Sequence, residues 1–206
     1  MKIYDFEGFP NPARVRIALK ELGLFDDVEF VSINVPEGEH QTSEFRAKNP
    51  SAAVPVLELE CGTTISECTA ITEYLDQLGD KPQLTGKSPK ERGVVAMMQR
   101  RAEAGLLDAV GSYFHHATAG LGPDIEGYQN KDWGKRQGEI AVSTMHYLDE
   151  ILADQTFVAG DEFSVADITA FAGLGFADFA GIEVPTACAN LHRWKEEIAQ
   201  RPSVSG

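Results

Sequence analysis

Pro55 sits inside the apolar run Ala52-Ala53-Val54-Pro55-Val56-Leu57-Glu58-Leu59, and that one residue limits how the run can be used. A proline has no N–H to give to a sheet ladder, so it marks either an edge strand or a special turn. Behind it come a hairpin-like Glu60-Cys61-Gly62-Thr63, a second short strand, and a helical pattern opening at Glu67. A helix start has unpaired N–H groups and positive dipole character, which makes it a seat for a carboxylate.

The first 79 residues alternate strand and helix signals, the pattern of an α/β unit. Lys2 to Phe6 reads as a strand. Asn11-Pro12 opens a helix over Ala13 to Leu22: Asn is a strong N-cap, and a proline at the first helical position loses no needed hydrogen bond. Gly23 stops that helix. Val28 to Val35 alternates as a second strand, Thr42 to Lys48 is a short helix, two strands follow Pro55, and Glu67 to Leu78 is a third helix. Gly79 to Pro89 is rich in turn residues, so residues 80–89 are assigned as a linker.

Beyond the linker every segment has helical period. Glu91 to Ala119 carries the stripe Val94, Val95, Met98, Ala102, Leu106 and Ala109, and Gly120-Leu121-Gly122-Pro123 breaks it. Lys135 to Ala153 is a further amphipathic helix. Ser164 and Asp167 then stand in the capping-box relation, ahead of an Ala-, Gly- and Phe-rich helix expected to be buried on all sides.

Composition closes off other classes. An apolar content of 43% and a charged content of 24% are those of a globular chain, and a net charge of −14 opposes nucleic acid as a partner. The longest uncharged apolar run, Ile168 to Ala177, is too short to span a bilayer, and Met1 to Glu7 lacks a signal core. Cys61, Cys68 and Cys188 are odd in number and not in C-x-x-C spacing, which fits a reducing compartment. The expectation is a cytoplasmic protein with no membrane or nucleic-acid partner.

Val54-Pro55, the turn Glu67-Cys68-Thr69-Ala70-Ile71, the order βαβαββα, the Ser164-x-x-Asp167 motif, and Arg201-Pro202-Ser203 after the helix with Trp194 together resemble the glutathione transferase family. The resemblance covers essentially the whole chain. It implies a thioredoxin-like α/β domain over 1–79 that binds glutathione, the linker, and an all-helical domain over 90–206 that holds a small electrophile. It further implies glutathione as co-substrate, a homodimer, and a role in detoxification. Pro55 should be cis, with the Val54 backbone pairing the cysteine of the tripeptide. Glu67 should accept from the γ-glutamyl ammonium. Cys68 replaces the family's usual serine, and its N–H could still hold the γ-glutamyl carboxylate.

Two segments look like particular, bacterial-type classes. Gly38-Glu39-His40-Gln41 resembles a theta-type segment in which the histidine meets the glycine carboxylate, and Ala53 stands where the family often has a lysine. Phe9-Pro10-Asn11 resembles the Thr-Pro-Asn turn of a nu-like class whose asparagine attends the sulfur. Phe9 takes the usual Ser or Cys position, where a phenyl ring can neither donate to a thiolate nor form a mixed disulfide.

Asn11 is therefore the leading catalytic candidate. Lowering a thiol pKa from about 8.5 to about 6.5 requires roughly 2.7 kcal/mol. A hydrogen bond to a charged group contributes on the order of 1.5–3 kcal/mol, and a helix N-terminus about 0.3–1 more. If the Asn11 carbonyl caps the helix, its NH2 remains for the sulfur; Asn11 as a cap alone is the other reading.

The remaining candidates each carry a bland alternative. His40 is otherwise an exposed loop histidine, Glu67 an acidic residue at a helix start, and Cys68 a small packing residue. Tyr113, His115 and His116 end the long helix and could line a pocket for the electrophile; otherwise they are a polar helix end. The His-His pair lacks a third ligand at suitable spacing, so no metal is expected. Tyr4 reads as structural, and Arg14 and Arg16 as paired on the surface or orienting the turn. A glutathione-dependent disulfide or peroxide reductase and a non-catalytic glutathione-binding protein are the rival functions.

Overall fold

Alternation along the first strand decides the layers of the N-terminal part. In the computed structural model, which describes residues 1–79 and 82–205, β1 (Lys2–Asp5) points Ile3 to one face of a sheet and Tyr4 to the other. The sheet has four strands in the order β2-β1-β3-β4, with β2 at Glu29–Ser32, β3 at Val56–Glu58 and β4 at Thr64–Ser66. β1 runs parallel to β2 and antiparallel to β3, and β3 is antiparallel to β4. Ile3 lies opposite Leu57, and Tyr4 opposite Val56.

Two helices cover the Ile3 face. α1 (Pro10–Glu21) brings Val15 and Leu19, and α3 (Cys68–Asp76) brings Ile71 and Leu75, onto Ile3, Val28 and Leu57. Full burial of a side chain such as Leu57 stabilises by about 1.5–3 kcal/mol. On the opposite face Phe45 of α2 (Ser43–Lys48) packs with Ile33 and Val56. Tyr4 is structural there: its hydroxyl donates to Glu58 Oε2 at 2.8 Å, and Lys48 Nζ lies 2.6 Å from the same carboxylate oxygen.

Pro55 is cis and immediately precedes β3, which is flanked by β1 and β4. Of the two sequence readings, the special turn is correct and the edge strand is not. The loop leading to it is pinned by Asn49, whose Nδ2 donates to the Ala53 carbonyl at 2.8 Å while its Oδ1 accepts from Ser51 N–H at 3.1 Å.

The chain forms two compact units, Met1–Gln83 and Leu84–Gly206. Of the residues assigned as a linker, Asp80 and Lys81 lie outside the described residues, while Leu84 and Thr85 are buried. In the second unit the expected long helix is α4 (Pro89–Ala102), a π turn (Glu103–Leu107) and α5 (Asp108–Ala117). Glycines admit the neighbours at this turn. A Cβ on Gly105 would stand 2.5 Å from Thr144 Oγ1, and one on Gly173 would stand 2.8 Å from Leu106 Cγ. α6 (Lys131–Leu152) starts four residues earlier than its periodicity suggests, because Asn130 caps it by accepting from Trp133 N–H at 3.0 Å.

α7 (Val165–Ala180) is buried along most of its length, as its composition implies. Its capping box is present: Ser164 Oγ accepts from Ala166 N–H, and Asp167 Oδ2 accepts from Ser164 N–H at 3.0 Å. The other Asp167 oxygen accepts from Val158 N–H at 2.8 Å. α8 (Ala189–Ala199) carries the buried Trp194, and the short α9 (Pro202–Ser205) follows at Pro202.

Candidate functional site

The mouth of α1 differs from an ordinary helix start because two of its first three residues are prolines. Phe9 occupies the N-cap position in extended conformation without a capping side chain, and Pro10 begins the helix. The expectation that Asn11 caps this helix is therefore corrected. Pro10 already has the fixed φ of a first-turn residue, so the helix starts one position before Asn11. The prolines have no N–H, Phe9 N–H bonds the Phe6 carbonyl at 3.3 Å, and Ala13 N–H closes the first helical bond onto Phe9 at 3.0 Å. Among the described residues, Asn11 N–H is the main-chain donor this helix end leaves open.

The Asn11 side chain turns its oxygen inward. Oδ1 accepts from Arg14 Nη1 at 3.0 Å, and the Cys68 thiol lies 3.7 Å from the same oxygen and 3.4 Å from the Asn11 main-chain carbonyl. The amide NH2 has no partner among the described residues. Asn11 as a whole is exposed to solvent. Phe9 packs edge-on against Phe6, ring centroids 4.9 Å apart, and forms an apolar wall beside the turn. Arg16 pairs through Nε with the buried Asp5 carboxylate at 2.7 Å, which ties α1 to the end of β1.

Across the sheet, strand pairing brings the other candidates together. Val56 pairs with Ser66 at the end of the β3–β4 ladder. Continuing the register sets Pro55 opposite Glu67 and Val54 opposite Cys68. Glu67 is corrected from the first residue of α3 to its N-cap, with φ 69 and ψ 123, a conformation that L-residues rarely adopt. Its side chain makes no capping bond and is exposed. Ile71 N–H closes the first helical bond onto the Glu67 carbonyl at 2.9 Å. The Thr69 and Ala70 N–H groups thus have no acceptor among the described residues, which gives α3 the open end that carboxylates favour.

Cys68 is buried, only 6% exposed, and packs in the core between α1 and α3. The exposed thiol is Cys61 in the β3–β4 hairpin, whose pKa is lowered by hydrogen bonds to the Thr63 side chain and backbone. His40 lies in a short 3-10 turn (Glu39–Gln41) before α2 and is buried, not an exposed loop residue. Burial first, and the nearby Arg46 second, hold its pKa below the ordinary histidine value. At neutral pH it is an uncharged ring. Its Nδ1 is buried with no partner among the described residues, and Nε2 is 3.5 Å from Gln41 Nε2.

Within the second unit Tyr113, His115 and His116 all stand on α5 and are partly buried. Two of them already hold the following loop. His115 Nδ1 is 2.7 Å from Glu126 Oε1, and His116 Nδ1 accepts from Asn130 N–H at 3.2 Å. Beside them Phe114, Phe176 and Phe179 form an aromatic group with centroids 5.5–6.5 Å apart, in which Phe179 is 75% exposed. That group was missed in the sequence, although its phenylalanines fall near the ends of two helices. Arg14 was seen only as a supporting residue; its spacing of three from Asn11 on a helix is the signal that links them. No cluster of three or more metal-ligating side chains occurs among the described residues.

Comparison with known proteins gives the geometry a family context. The family model described as "Glutathione S-transferase, N-terminal domain" matches residues 10–78, and "Glutathione S-transferase, C-terminal domain" matches residues 117–202. Glutathione S-transferase 2 of Saccharomyces cerevisiae is 56% identical over 204 residues, covering 99% of this chain and 88% of that protein. The crystal structure of Gtt2 from the same yeast superposes with a TM-score of 0.98 at 56% identity, over 100% of this chain and 99% of that one. A glutathione S-transferase domain-containing protein from Marinobacter aquaeolei superposes with a TM-score of 0.97 at 62% identity, over 99% of this chain and 100% of that one.

Proposed function

The chain belongs to the glutathione S-transferase family, and on that premise we propose how its own residues run the transferase reaction. It is a glutathione transferase with glutathione as co-substrate. In the proposed mode glutathione lies extended along the Val54 backbone beside cis-Pro55. Its γ-glutamyl carboxylate meets the N-terminus of α3 at Cys68 and Thr69, and its ammonium meets Glu67. The glycine carboxylate meets His40. In this proposal His40 keeps the role of the theta-like reading and Asn11 that of the nu-like reading; relatives at this similarity come from both a bacterium and a yeast.

The observation that carries the proposal is the pair of donors on Asn11. Among the described residues its main-chain N–H and its side-chain NH2 both stand open at the positive end of α1, and Phe9 beside them brings no hydroxyl or thiol of its own. Two donors to a thiolate meet the requirement of roughly 2.7 kcal/mol for a pKa near 6.5, since a single charge-assisted bond contributes on the order of 1.5–3 kcal/mol. Asn11 acts by stabilising charge and the glutathione sulfur is the nucleophile, so the protein forms no covalent intermediate.

The electrophile is assigned to the helical unit, with Tyr113, His115 and His116 as pocket residues. The adjoining Phe114, Phe176 and Phe179 rings favour an aromatic or otherwise apolar electrophile. A homodimer, a cytoplasmic location and a detoxifying role complete the proposal. Family resemblance supports the dimer. For the location, no helix among the described residues is long and apolar enough to cross a membrane, and none of the three cysteines forms a disulfide.

Titration calorimetry on Glu67→Ala and His40→Ala tests the binding mode. Glu67→Ala should weaken glutathione by about tenfold or more, because it strands the ammonium without its charged partner. His40→Ala should weaken it less, since a neutral ring makes a weaker bond to a carboxylate than a cation would. Unchanged affinity in both variants would overturn the residue assignment.

A further inference from the structure

We propose that Arg14 is the positioning residue that holds the Asn11 amide with its NH2 outward, so that donors and not the carbonyl oxygen meet the glutathione sulfur. This rests on the role given to Asn11 above.

A side-chain amide has two ends of similar shape and opposite chemistry. Turned one way it gives N–H groups to the sulfur and favours the thiolate. Turned the other way it presents an oxygen, which repels the anion and accepts from the protonated thiol. The terminal torsion of Asn is broad and roughly two-fold, so a neighbour must choose between the two. Arg14 makes that choice. It is only 3% exposed, stands three residues along α1, and places Nη1 3.0 Å from Asn11 Oδ1. A guanidinium carries donors alone and stays charged at any working pH, so it pairs with the oxygen and never with the NH2. The Cys68 thiol adds a second donor 3.7 Å from the same oxygen. A reversed amide would set its NH2 against both.

The test follows the thiolate absorbance of bound glutathione against pH in Asn11→Ala, Arg14→Met and the double variant, with S-methylglutathione affinity as a control for binding. Asn11→Ala and Arg14→Met should each raise the bound-thiol pKa by about one unit, a tenfold loss of thiolate at low pH. The double variant should go no further than Asn11→Ala, because Arg14 acts through Asn11. S-methylglutathione affinity should stay within about threefold, since that ligand has no thiol to ionise. If Asn11→Ala leaves the titration unmoved, the Asn11 role itself fails. If Asn11→Ala shifts it and Arg14→Met does not, or the two shifts add in the double variant, the positioning role of Arg14 fails alone.

Should Arg14→Met not fold, Asn11→Asp carries the question on the native Arg14. An aspartate keeps the guanidinium partner and loses the NH2, so it should melt above Asn11→Ala while showing a higher bound-thiol pKa. An aspartate variant no more stable than the alanine one would mean that Arg14 does not grip position 11.

Discussion

The Cys68 thiol stands 3.4 Å from the main-chain carbonyl oxygen of Asn11, a contact between residues 57 apart in sequence. Through it the first residue of α3 touches the second residue of α1. The same residue that offers its backbone to one end of the proposed tripeptide site braces the residue assigned to the sulfur.

Cys68 should accordingly behave as a brace and not as a reactive thiol. Oxidised glutathione should modify Cys61, which is exposed and has a lowered pKa, and leave the buried Cys68 and Cys188 unmodified in the ligand-free protein. Peptide mass spectrometry locates the adduct. Cys68→Ser keeps a donor toward Asn11, and a stronger one, so glutathione affinity should hold or improve.

At Glu67, stability and affinity should move in opposite directions. The backbone there has φ 69, which a glycine adopts without strain. Residues held in such regions cost on the order of 1–3 kcal/mol. Glu67→Gly should raise the melting temperature while weakening glutathione, whose ammonium loses its carboxylate partner. A variant that is less stable than the native protein would show that the positive φ is not a burden here.

Glutathione binding should draw a proton onto His40. Its folded pKa lies below the ordinary 6.5, so the unfolded chain binds that proton more readily. The associated stability is present above pH 6.5 and is lost as pH falls through the lowered value. A carboxylate placed beside the ring favours the charged form, so the complex takes up protons just below pH 6.5. Calorimetry of S-methylglutathione in two buffers of different ionisation heat measures this uptake without interference from the thiol. His40→Gln should abolish it.

Asp167 should leave a pH signature on the helical unit. Its carboxyl is pushed up from 3.8 to about 6, because loss of solvent outweighs the hydrogen bonds from Val158 and Ser164. A raised folded pKa adds stability that is complete below pH 3.8 and is lost as pH rises through about 6. The buried position warrants no discount for solvent, and the change amounts to on the order of 3 kcal/mol. Asp167→Asn removes the titration. The stability gap between native protein and variant should therefore narrow from pH 4 to pH 7 in urea unfolding; a constant gap would mean that Asp167 titrates normally.

Much of this can be read from the chain because the signals are local. The capping box at Ser164 and Asp167 needs only four residues, and the turn at Val54-Pro55 needs two. The alternation of Ile3 and Tyr4 already separates the two faces of the sheet. What escapes is set by packing at a distance. The Cys68–Asn11 contact joins the starts of two helices far apart in sequence, and the burial of Arg14 depends on what packs on α1. The helix start is misjudged by two residues, with the cap at Phe9 and not Asn11, for a local reason: Pro10 satisfies the first-turn geometry as well as Pro12 does. The π turn at Glu103–Leu107 lies where Gly105 and Gly173 admit close neighbours, a packing feature that periodicity does not report.

Pro10 and Pro12 have a chemical consequence of their own. A phosphate or sulfate held at a helix end needs several converging N–H groups, one for each of its oxygens. With two of those groups deleted, the mouth of α1 suits the single sulfur atom proposed for it: a lone sulfur anion would meet its one main-chain donor and the adjoining amide, whereas a polyatomic oxyanion would leave most of its oxygens unbonded. In the proposed site, the imino acids would thereby discriminate between anions by subtraction.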